Sequence, residues 1–167
     1  MALNTYNPTA NTTPDPGQGG SAVSGNINTG HSSTTSSAVN GSSQTKTCVW
    51  QTFPAGGGQV ASATLKFDWS ENGSINNSAN NEFKVEYSIN GGGAWTAVFD
   101  HTGITSSTTS NSQVSLSAGQ DLTAVRVRDS IVATASAGVG NSSSVTASIS
   151  NIRVELVTVD SQVIVCV

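Results

Sequence analysis

The stretch ASATLKFDW, residues 61–69, alternates apolar and polar side chains at every step. Side chains along a β-strand point to opposite faces in turn, so every second residue shares a face. The apolar set is Ala61, Ala63, Leu65, Phe67 and Trp69. This period of two predicts a strand that is buried on one face and solvated on the other.

Two further alternating stretches, EFKVEYSI (82–89) and AWTAVF (94–99), flank the glycine-rich residues 90–93. Glycine and asparagine tolerate positive φ, so these residues predict a hairpin turn. The positions on the apolar faces then form the predicted core: Leu65, Phe67, Trp69, Phe83, Val85, Tyr87, Trp95 and Phe99.

Short apolar stretches continue to the C-terminus at 113–117, 122–129, 143–149, 152–159 and 162–167, separated by Gly, Ser and Asn. Many short strands with polar turns, and no helical period, predict an all-β fold built as an antiparallel β-sandwich over residues 47–167. The apolar positions change parity between 149 and 152, which predicts a bulge or bend at Ser150 and Asn151.

Residues 1–46 are dominated by Ser, Thr, Asn, Gly and Pro, and they predict an extended low-complexity arm. Such a segment buries too little apolar surface to offset its ordering entropy, so we expect contacts with neighbouring subunits to hold it. The C-terminal VIVCV would be a hazardous free edge and is expected to pair. The predicted assembly contacts are Leu3, Tyr6, Val23, Ile27, Val39, Val163, Val165 and Val167.

Composition excludes several kinds of partner. The 167 residues carry 10% charged side chains and a net charge of −4, and the six basic residues are scattered. Nucleic-acid binding needs clustered Lys and Arg, so it is not predicted. No run approaches the roughly 18 apolar residues of a membrane span, so no membrane insertion is expected. The N-terminus also lacks the basic start and apolar core of a signal peptide.

The two cysteines, Cys48 and Cys166, lie far apart in the sequence. They fit either two separate thiols or a disulfide that joins the first strand to the last in an oxidising compartment. No catalytic constellation is visible, because His31 falls in the arm, His101 reads as a turn residue, and no G-x-S-x-G motif occurs. We therefore predict no enzyme activity, no cofactor and no metal site.

Within the hairpin, Ser88, Asn90, Gly92 and Trp95 follow the spacing S-x-N-x-G-x-x-W. This spacing resembles the Asp-box of sialidase-type β-propellers, where the residues are structural. With the strands that follow, residues 47–157 resemble the galactose-binding-like jelly rolls. That resemblance implies a jelly-roll sandwich, a scaffold whose members bind sugar or calcium and which recurs in viral capsid and tail proteins.

The sequence leaves two functions open. The first is a non-enzymatic structural protein of a bacterial virus (a capsid decoration, capsid-associated or tail component), whose partners are its own copies or other virion proteins. It would be made in the host cytoplasm and located in the virion. The second is an extracellular carbohydrate- or surface-binding module for glycans, for which Trp50, Phe53 and Tyr6 are the aromatic residues left for a sugar platform.

Truncating a buried phenylalanine tests the predicted core. We expect Phe83→Ala to lower the free energy of unfolding by about 3–5 kcal/mol, since it removes buried apolar surface and leaves a cavity. Thermal denaturation followed by circular dichroism measures this loss. A melting curve identical to that of the unmodified chain would contradict the assignment of Phe83 to the core.

Overall fold

The computed structural model describes residues 2–8, 10–12, 31–51, 53 and 59–159, and these form an all-β domain. Within these ranges, ten strands are arranged in two five-stranded antiparallel sheets. Sheet A contains β1 (Ala2–Tyr6), β3 (His31–Val39), β5 (Gln59–Asn76), β8 (Thr108–Leu116) and β10 (Ser142–Val159). Sheet B contains β2 (Ala10–Thr12), β4 (Ser43–Gln51), β6 (Ala79–Ser88), β7 (Thr96–Thr102) and β9 (Arg126–Ala135). A short 3-10 helix, Leu122–Ala124, precedes β9.

The connectivity is jelly-roll-like. The strand order is β1-β10-β5-β8 in sheet A, with β3 also beside β10, and β2-β4-β9-β6-β7 in sheet B. Consecutive strands lie in opposite sheets, except for the β6–β7 hairpin. The connections that cross from one sheet to the other lie at the ends of the sandwich. The outer faces of the described sheets are therefore formed by strands. The predicted fold class is confirmed.

The core lies between the sheets, where the apolar faces of β5, β6, β9 and β10 meet. Five predicted core residues are buried: Leu65, Phe67, Trp69, Phe83 and Val85. Tyr87 and Phe99 are half-buried and pack against them. Rings of the two sheets also touch directly, with the centroids of Trp69 and Phe99 4.8 Å apart.

Trp95 is the exception, and its prediction as a core residue is wrong. Strand β7 begins only at Thr96, so Trp95 belongs to the turn rather than to the alternating strand. Its ring lies under the Arg128 guanidinium, 4.2 Å from the ring centroid. The pairing of β6 with β7 also shifts register between Val85 and Glu86, which ends the simple alternation on which the prediction rested.

The predicted bulge in the last long strand is confirmed. Pairing of β10 with β5 is interrupted between Ser150 and Arg153, and Asn151 adopts φ of 53°. Asparagine enters this left-handed region more readily than most residues. The additional residue restores the inward direction, so Ile149 before the bulge and Ile152 after it are both buried.

The described parts of residues 1–46 differ from the predicted arm. Strand β1 pairs with β10 along Ala2–Tyr6, and β3 pairs with the other half of β10. Strand β4 contains the predicted boundary at residue 46 and pairs with β9 on both sides of it. Backbone hydrogen bonds, which do not depend on apolar side chains, thus attach these polar segments to the sandwich.

One end of the sandwich is held by a buried amide. The Asn81 Nδ2 atom donates to the carbonyl oxygens of Ile104 at 2.9 Å and Ser144 at 2.7 Å. Its Oδ1 atom accepts from the Ile104 backbone nitrogen at 2.7 Å. Asn81 on sheet B therefore fixes the β7–β8 loop and the start of β10 on sheet A. Such a satisfied buried amide stabilises a unique arrangement.

Gly73 makes room for this amide. A Cβ atom at Gly73 would lie 2.6 Å from Asn81 Nδ2, 2.6 Å from the Ile104 carbonyl oxygen and 3.0 Å from the Ser144 carbonyl oxygen. We expect Gly73→Ala to lower the free energy of unfolding by about 1–3 kcal/mol through overpacking. Chemical denaturation measures the change. The control is Gly93→Ala, where the nearest atom would be 3.4 Å away. Equal stability of the two variants would contradict this role for Gly73.

Candidate functional site

The outer face of sheet A carries a polar groove where β8, β5 and β10 lie side by side. The groove has a volume of 230 Å³, and its charged and amide-bearing lining residues are Lys66, Asp68, Asn111, Gln113 and Arg153. Alternation places these side chains outward, since Phe67, between Lys66 and Asp68, is fully buried. The strand register puts Asp68 opposite Asn111 and Lys66 opposite Gln113. Below, we call this cleft the sheet A groove.

The bulge in β10 shapes one wall of the sheet A groove. Asn151 Nδ2 donates to Asp68 Oδ2 at 2.6 Å, and Arg153 Nη1 donates to the Asn151 carbonyl oxygen at 3.0 Å. Asn151, which adopts the left-handed conformation, thus directs its amide towards β5 and its carbonyl oxygen towards Arg153. Bulges commonly redirect side chains next to functional sites, and here the bulge gathers an amide, a carboxylate and a guanidinium.

A second carboxylate neutralises the two cations of the groove. Glu155 Oε2 lies 2.7 Å from Lys66 Nζ, and Glu155 Oε1 accepts from Arg153 Nε at 2.9 Å. The hydrogen bond from Lys66, followed by that from Arg153, lowers the pKa of Glu155 below its ordinary value of 4.5. With Asp68, the four charged side chains sum to zero. The groove is therefore strongly polar, and these four side chains give it no net charge.

These side chains supply complementary hydrogen-bonding groups. The amides of Asn111 and Gln113 each offer two N–H donors and a carbonyl acceptor, Arg153 and Lys66 donate, and Asp68 accepts. Both amide side chains are exposed. A ligand with alternating hydroxyl donors and acceptors matches such a surface. The groove offers little to an apolar ligand, since the side chain of its apolar lining residue, Phe67, is buried in the core.

The hairpin motif forms an interlocked turn at the opposite end of the sandwich from Asn81. The Ser88 hydroxyl donates to Asn90 Oδ1 at 2.8 Å and accepts from the Gly92 backbone nitrogen at 3.0 Å. Asn90 Oδ1 also accepts from the Ala94 backbone nitrogen at 2.9 Å. Gly91 and Gly92 have φ of 75° and 96°. These bonds are all internal to the turn, in keeping with the structural role expected of the motif.

Trp95 and its surroundings form a charged patch on the outer face of sheet B. Arg128 lies over the Trp95 ring and donates from Nε to Glu86 Oε2 at 2.6 Å. The Lys84 ammonium lies 3.8 Å from Asp100 and 3.9 Å from Glu86. Because the guanidinium covers one face of the ring, Trp95 does not present that face to a sugar.

The predicted sugar platform is not formed as expected. Phe53 is fully buried, with 0% exposure, because it belongs to the apolar cluster between the sheets. Its prediction as a platform residue is wrong. Tyr6 is half-buried and packs against the same cluster. Trp50 lies on β4, but its side chain is outside the described residues, as are those of Cys48 and Cys166.

The predicted assembly contacts are only partly within the described residues. Leu3 and Val39 are 65% and 58% exposed, so their apolar side chains are available for a contact. Val23, Ile27, Val163, Val165 and Val167 lie outside the described residues.

His101 is better placed than the sequence suggested. It lies on β7 rather than in a turn, and its Nδ1 atom is 3.0 Å from Oε2 of the buried Glu71 on sheet A. Its ring stacks on Phe99 with a centroid separation of 4.6 Å. The pair borders a 550 Å³ cleft with Asp100 and Ile104. Among the described hydrogen bonds, none joins a serine hydroxyl to His101.

The described ranges contain no group of three or more His, Cys, Asp or Glu side chains arranged to hold a metal ion. No helix within them has the length and apolar character needed to cross a membrane.

No family model and no curated protein matches this sequence. Among solved structures, it is similar to the family 29 carbohydrate-binding module CBM29_1 from Piromyces equi, at 9% identity and a TM-score of 0.35, covering 98% of this chain and 97% of that one. It is also similar to TmCBM61, solved in complex with β-1,4-galactotriose, at 11% identity, a TM-score of 0.33, and coverage of 91% and 86%.

A third similar structure is the N-terminal cellulose-binding domain of Cellulomonas fimi β-1,4-glucanase C, at 11% identity, a TM-score of 0.31, and coverage of 95% and 90%. Similarity at this level carries no argument about what the present chain binds. These comparisons give no support to the virion role predicted from the sequence.

The charge network of the groove predicts a pH dependence of stability. Because the folded-state pKa of Glu155 is lowered, its carboxylate stabilises the fold fully above about pH 4.5, and this contribution is lost as the pH falls through the lowered value. We expect Glu155→Gln to be less stable than the unmodified chain at pH 7, with the difference shrinking below pH 4.5. Denaturation at several pH values measures it. Glu82→Gln, whose carboxylate is 4.0 Å from Lys84, is the control. A difference independent of pH would contradict the network.

Proposed function

We propose that this chain is a non-catalytic carbohydrate-binding domain and that the sheet A groove takes a neutral, hydroxyl-rich segment of a glycan. One observation carries the proposal: amide, carboxylate and guanidinium groups converge on a 230 Å³ groove on an otherwise Ser- and Thr-rich face. Sugar hydroxyls both donate and accept hydrogen bonds, and this lining offers both kinds of group. An extracellular location belongs to the same proposal.

Preorganisation supports this reading of the groove. Lys66 and Arg153 are fixed by Glu155, and Asp68 is fixed by Asn151. The side chains therefore lose little further conformational freedom when a ligand binds, which reduces the cost of association. Because the cations are already neutralised, an anionic sugar gains little extra attraction over a neutral one.

The binding mode follows from the polar character of the groove lining. A hydrogen bond that replaces water contributes about 0.5–1.5 kcal/mol, so a few such bonds give modest affinity. Stacking on an aromatic side chain would add apolar contact, but the polar side chains that line the groove offer no ring. We expect weak, rapidly reversible binding that depends on hydrogen bonds.

The carboxylates of the groove argue for binding rather than hydrolysis. Glycoside hydrolysis needs a general acid whose pKa is raised, alongside a second carboxylate. Glu155 has its pKa lowered by Lys66 and Arg153, so it is ionised at neutral pH and cannot serve as that acid. Asp68 is engaged by the Asn151 amide.

A structural assembly role remains the second candidate function. The exposure of Leu3 and Val39 favours it, since two large apolar side chains stand in water on strands of sheet A. Leu3 lies opposite Val157 and Val39 opposite Ser142, at the two ends of β10, so they would serve two separate contacts rather than one apolar patch. Whether the particle would be a virion, as the sequence predicted, is part of this second candidate.

Binding of neutral oligosaccharides tests the first proposal. A glycan array identifies a ligand, and isothermal titration calorimetry then compares Asn111→Ala with the unmodified chain. We expect about five- to tenfold weaker binding, corresponding to about 1 kcal/mol for a lost hydrogen bond. The matched control is Asn72→Ala, an exposed asparagine on the same outer face but outside the groove.

The control should bind as the unmodified chain does. Equal binding by Asn111→Ala and the unmodified chain would place the ligand elsewhere on the surface. Complete absence of binding across a neutral glycan array would overturn the proposed function.

A further inference from the structure

Among the described strands, β8 forms an unprotected edge of sheet A. It pairs with β5 on one side, and no described strand pairs with its other side. Its nine residues, TTSNSQVSL, contain no charge and no proline, and the uncharged run extends over residues 102–120. Edges that must stay unpaired are usually shielded by charged side chains, proline or bulges. Strand β8 has none of these devices.

The edge of sheet B shows the contrast within the same molecule. Strand β7 carries Asp100, which lies 3.8 Å from Lys84, and its pairing with β6 is broken by a register shift after Val85. Charge and bulge together make β7 a poor template for a further strand. Of these two edges, β7 is therefore protected against pairing with a further strand, and β8 is not.

We propose that β8 pairs antiparallel with β8 of a second copy of this chain, about a two-fold axis at Ser112. Ser112 is the central residue of the strand Thr108–Leu116, so this register uses the full length of both strands. It places Asn111 opposite the partner subunit's Gln113. Two outward-facing primary amides then meet on each side of the axis, and each can donate to and accept from the other.

The strand's composition favours a second copy as the occupant. In a symmetric antiparallel pair, every side chain meets one from the same short strand, so a charge could face a like charge across the two-fold axis. An uncharged strand avoids that repulsion entirely, and its Ser, Thr, Asn and Gln side chains are complementary to themselves. The pairing also satisfies backbone groups along the edge that otherwise bond to water.

The dimer has a consequence for the sheet A groove, and this part of the inference rests on the proposed function. Asn111 and Gln113 line the groove from β8 and would sit next to the dimer axis. Adjacent strands are about 4.8 Å apart. The partner subunit's β8 therefore extends the same polar surface, and the two grooves become one continuous site with two sets of polar side chains.

Sedimentation velocity of the full chain without glycan tests the dimer. We expect a species of twice the 16.9 kDa chain mass whose fraction rises with concentration. A like-charge variant, Asn111→Lys with Gln113→Lys, would place two cations opposite each other across the axis, so it should sediment as a monomer. An opposite-charge variant, Asn111→Lys with Gln113→Glu, would place a cation opposite an anion there, so it should remain dimeric.

The two double variants differ only at position 113, which makes them matched controls. The new ammonium at position 111 lies beside Asp68, and the new carboxylate at position 113 lies beside Lys66, so the opposite-charge variant also suits its own sheet. Circular dichroism checks that each variant is folded.

Three results would overturn parts of the inference. An unmodified chain that is monomeric at every concentration overturns the proposal without reference to any variant. A like-charge variant that is folded and dimeric would show that β8 is not the contact surface. An opposite-charge variant that is folded and monomeric would contradict the register about a two-fold axis at Ser112.

This outcome is separable from that of the glycan experiment. A monomer that binds neutral glycans leaves the proposed function standing and removes the dimer. A dimer that binds no neutral glycan supports the β8 pairing and removes the proposed function.

Discussion

The contact between aromatic rings of the two sheets fixes most of the architecture. Trp69 on β5 meets Phe83 on β6 edge to face at 6.2 Å, and both meet Phe99 on β7. Once these rings face inward, the period of two decides the direction of every neighbouring residue on the same strands. A slip of one residue would exchange the two faces, burying Lys66 and Asp68 and exposing Phe67. The same constraint therefore directs Lys66 and Asp68 outward, where they line the sheet A groove.

Local alternation was sufficient to predict the central strands but not the outer ones. Leu65, Phe67 and Phe83 follow a pattern whose physical cause, burial of one face, acts on the residues themselves. Strands β1 and β3 are held by backbone pairing with β10 and carry mostly Ser, Thr and Asn, so their side chains leave no period to detect. Lys46 shows the same difficulty, since the polar composition of residues 1–46 predicts that it belongs to an arm. It is buried within β4, and that burial lowers its pKa.

The candidate site could be predicted only in part. Lys66, Asp68 and Arg153 occupy polar positions of alternating stretches, so the sequence indicates their outward direction, and it also indicates the bulge beside them. Asn111 lies in the all-polar run TTSNSQ (108–113), where no alternation indicates a direction. What the sequence did not contain was the order of strands, which brings residue 111 next to 68 and places 153 on the far side of β5. Partners so distant in sequence are chosen by the packing of the whole sandwich. The prediction of Phe53 as a platform residue is wrong because the sequence around it does not alternate and so gives no indication of which way its side chain faces.

Strand β10 is 18 residues long and serves two different neighbours, β3 along its first half and β1 along its second. The bulge at Asn151 separates these halves, so each can keep its own register with its own neighbour while sharing β5. Across the strands, the groove beside the bulge extends only from β8 to β10, about 10 Å at two inter-strand spacings. A polymer could lie along that surface, but only a short segment of it would touch the groove lining. In a single copy of the chain, the groove would therefore contact only a short, local set of groups on such a polymer, and a longer segment would be contacted only where the two grooves of the proposed dimer join.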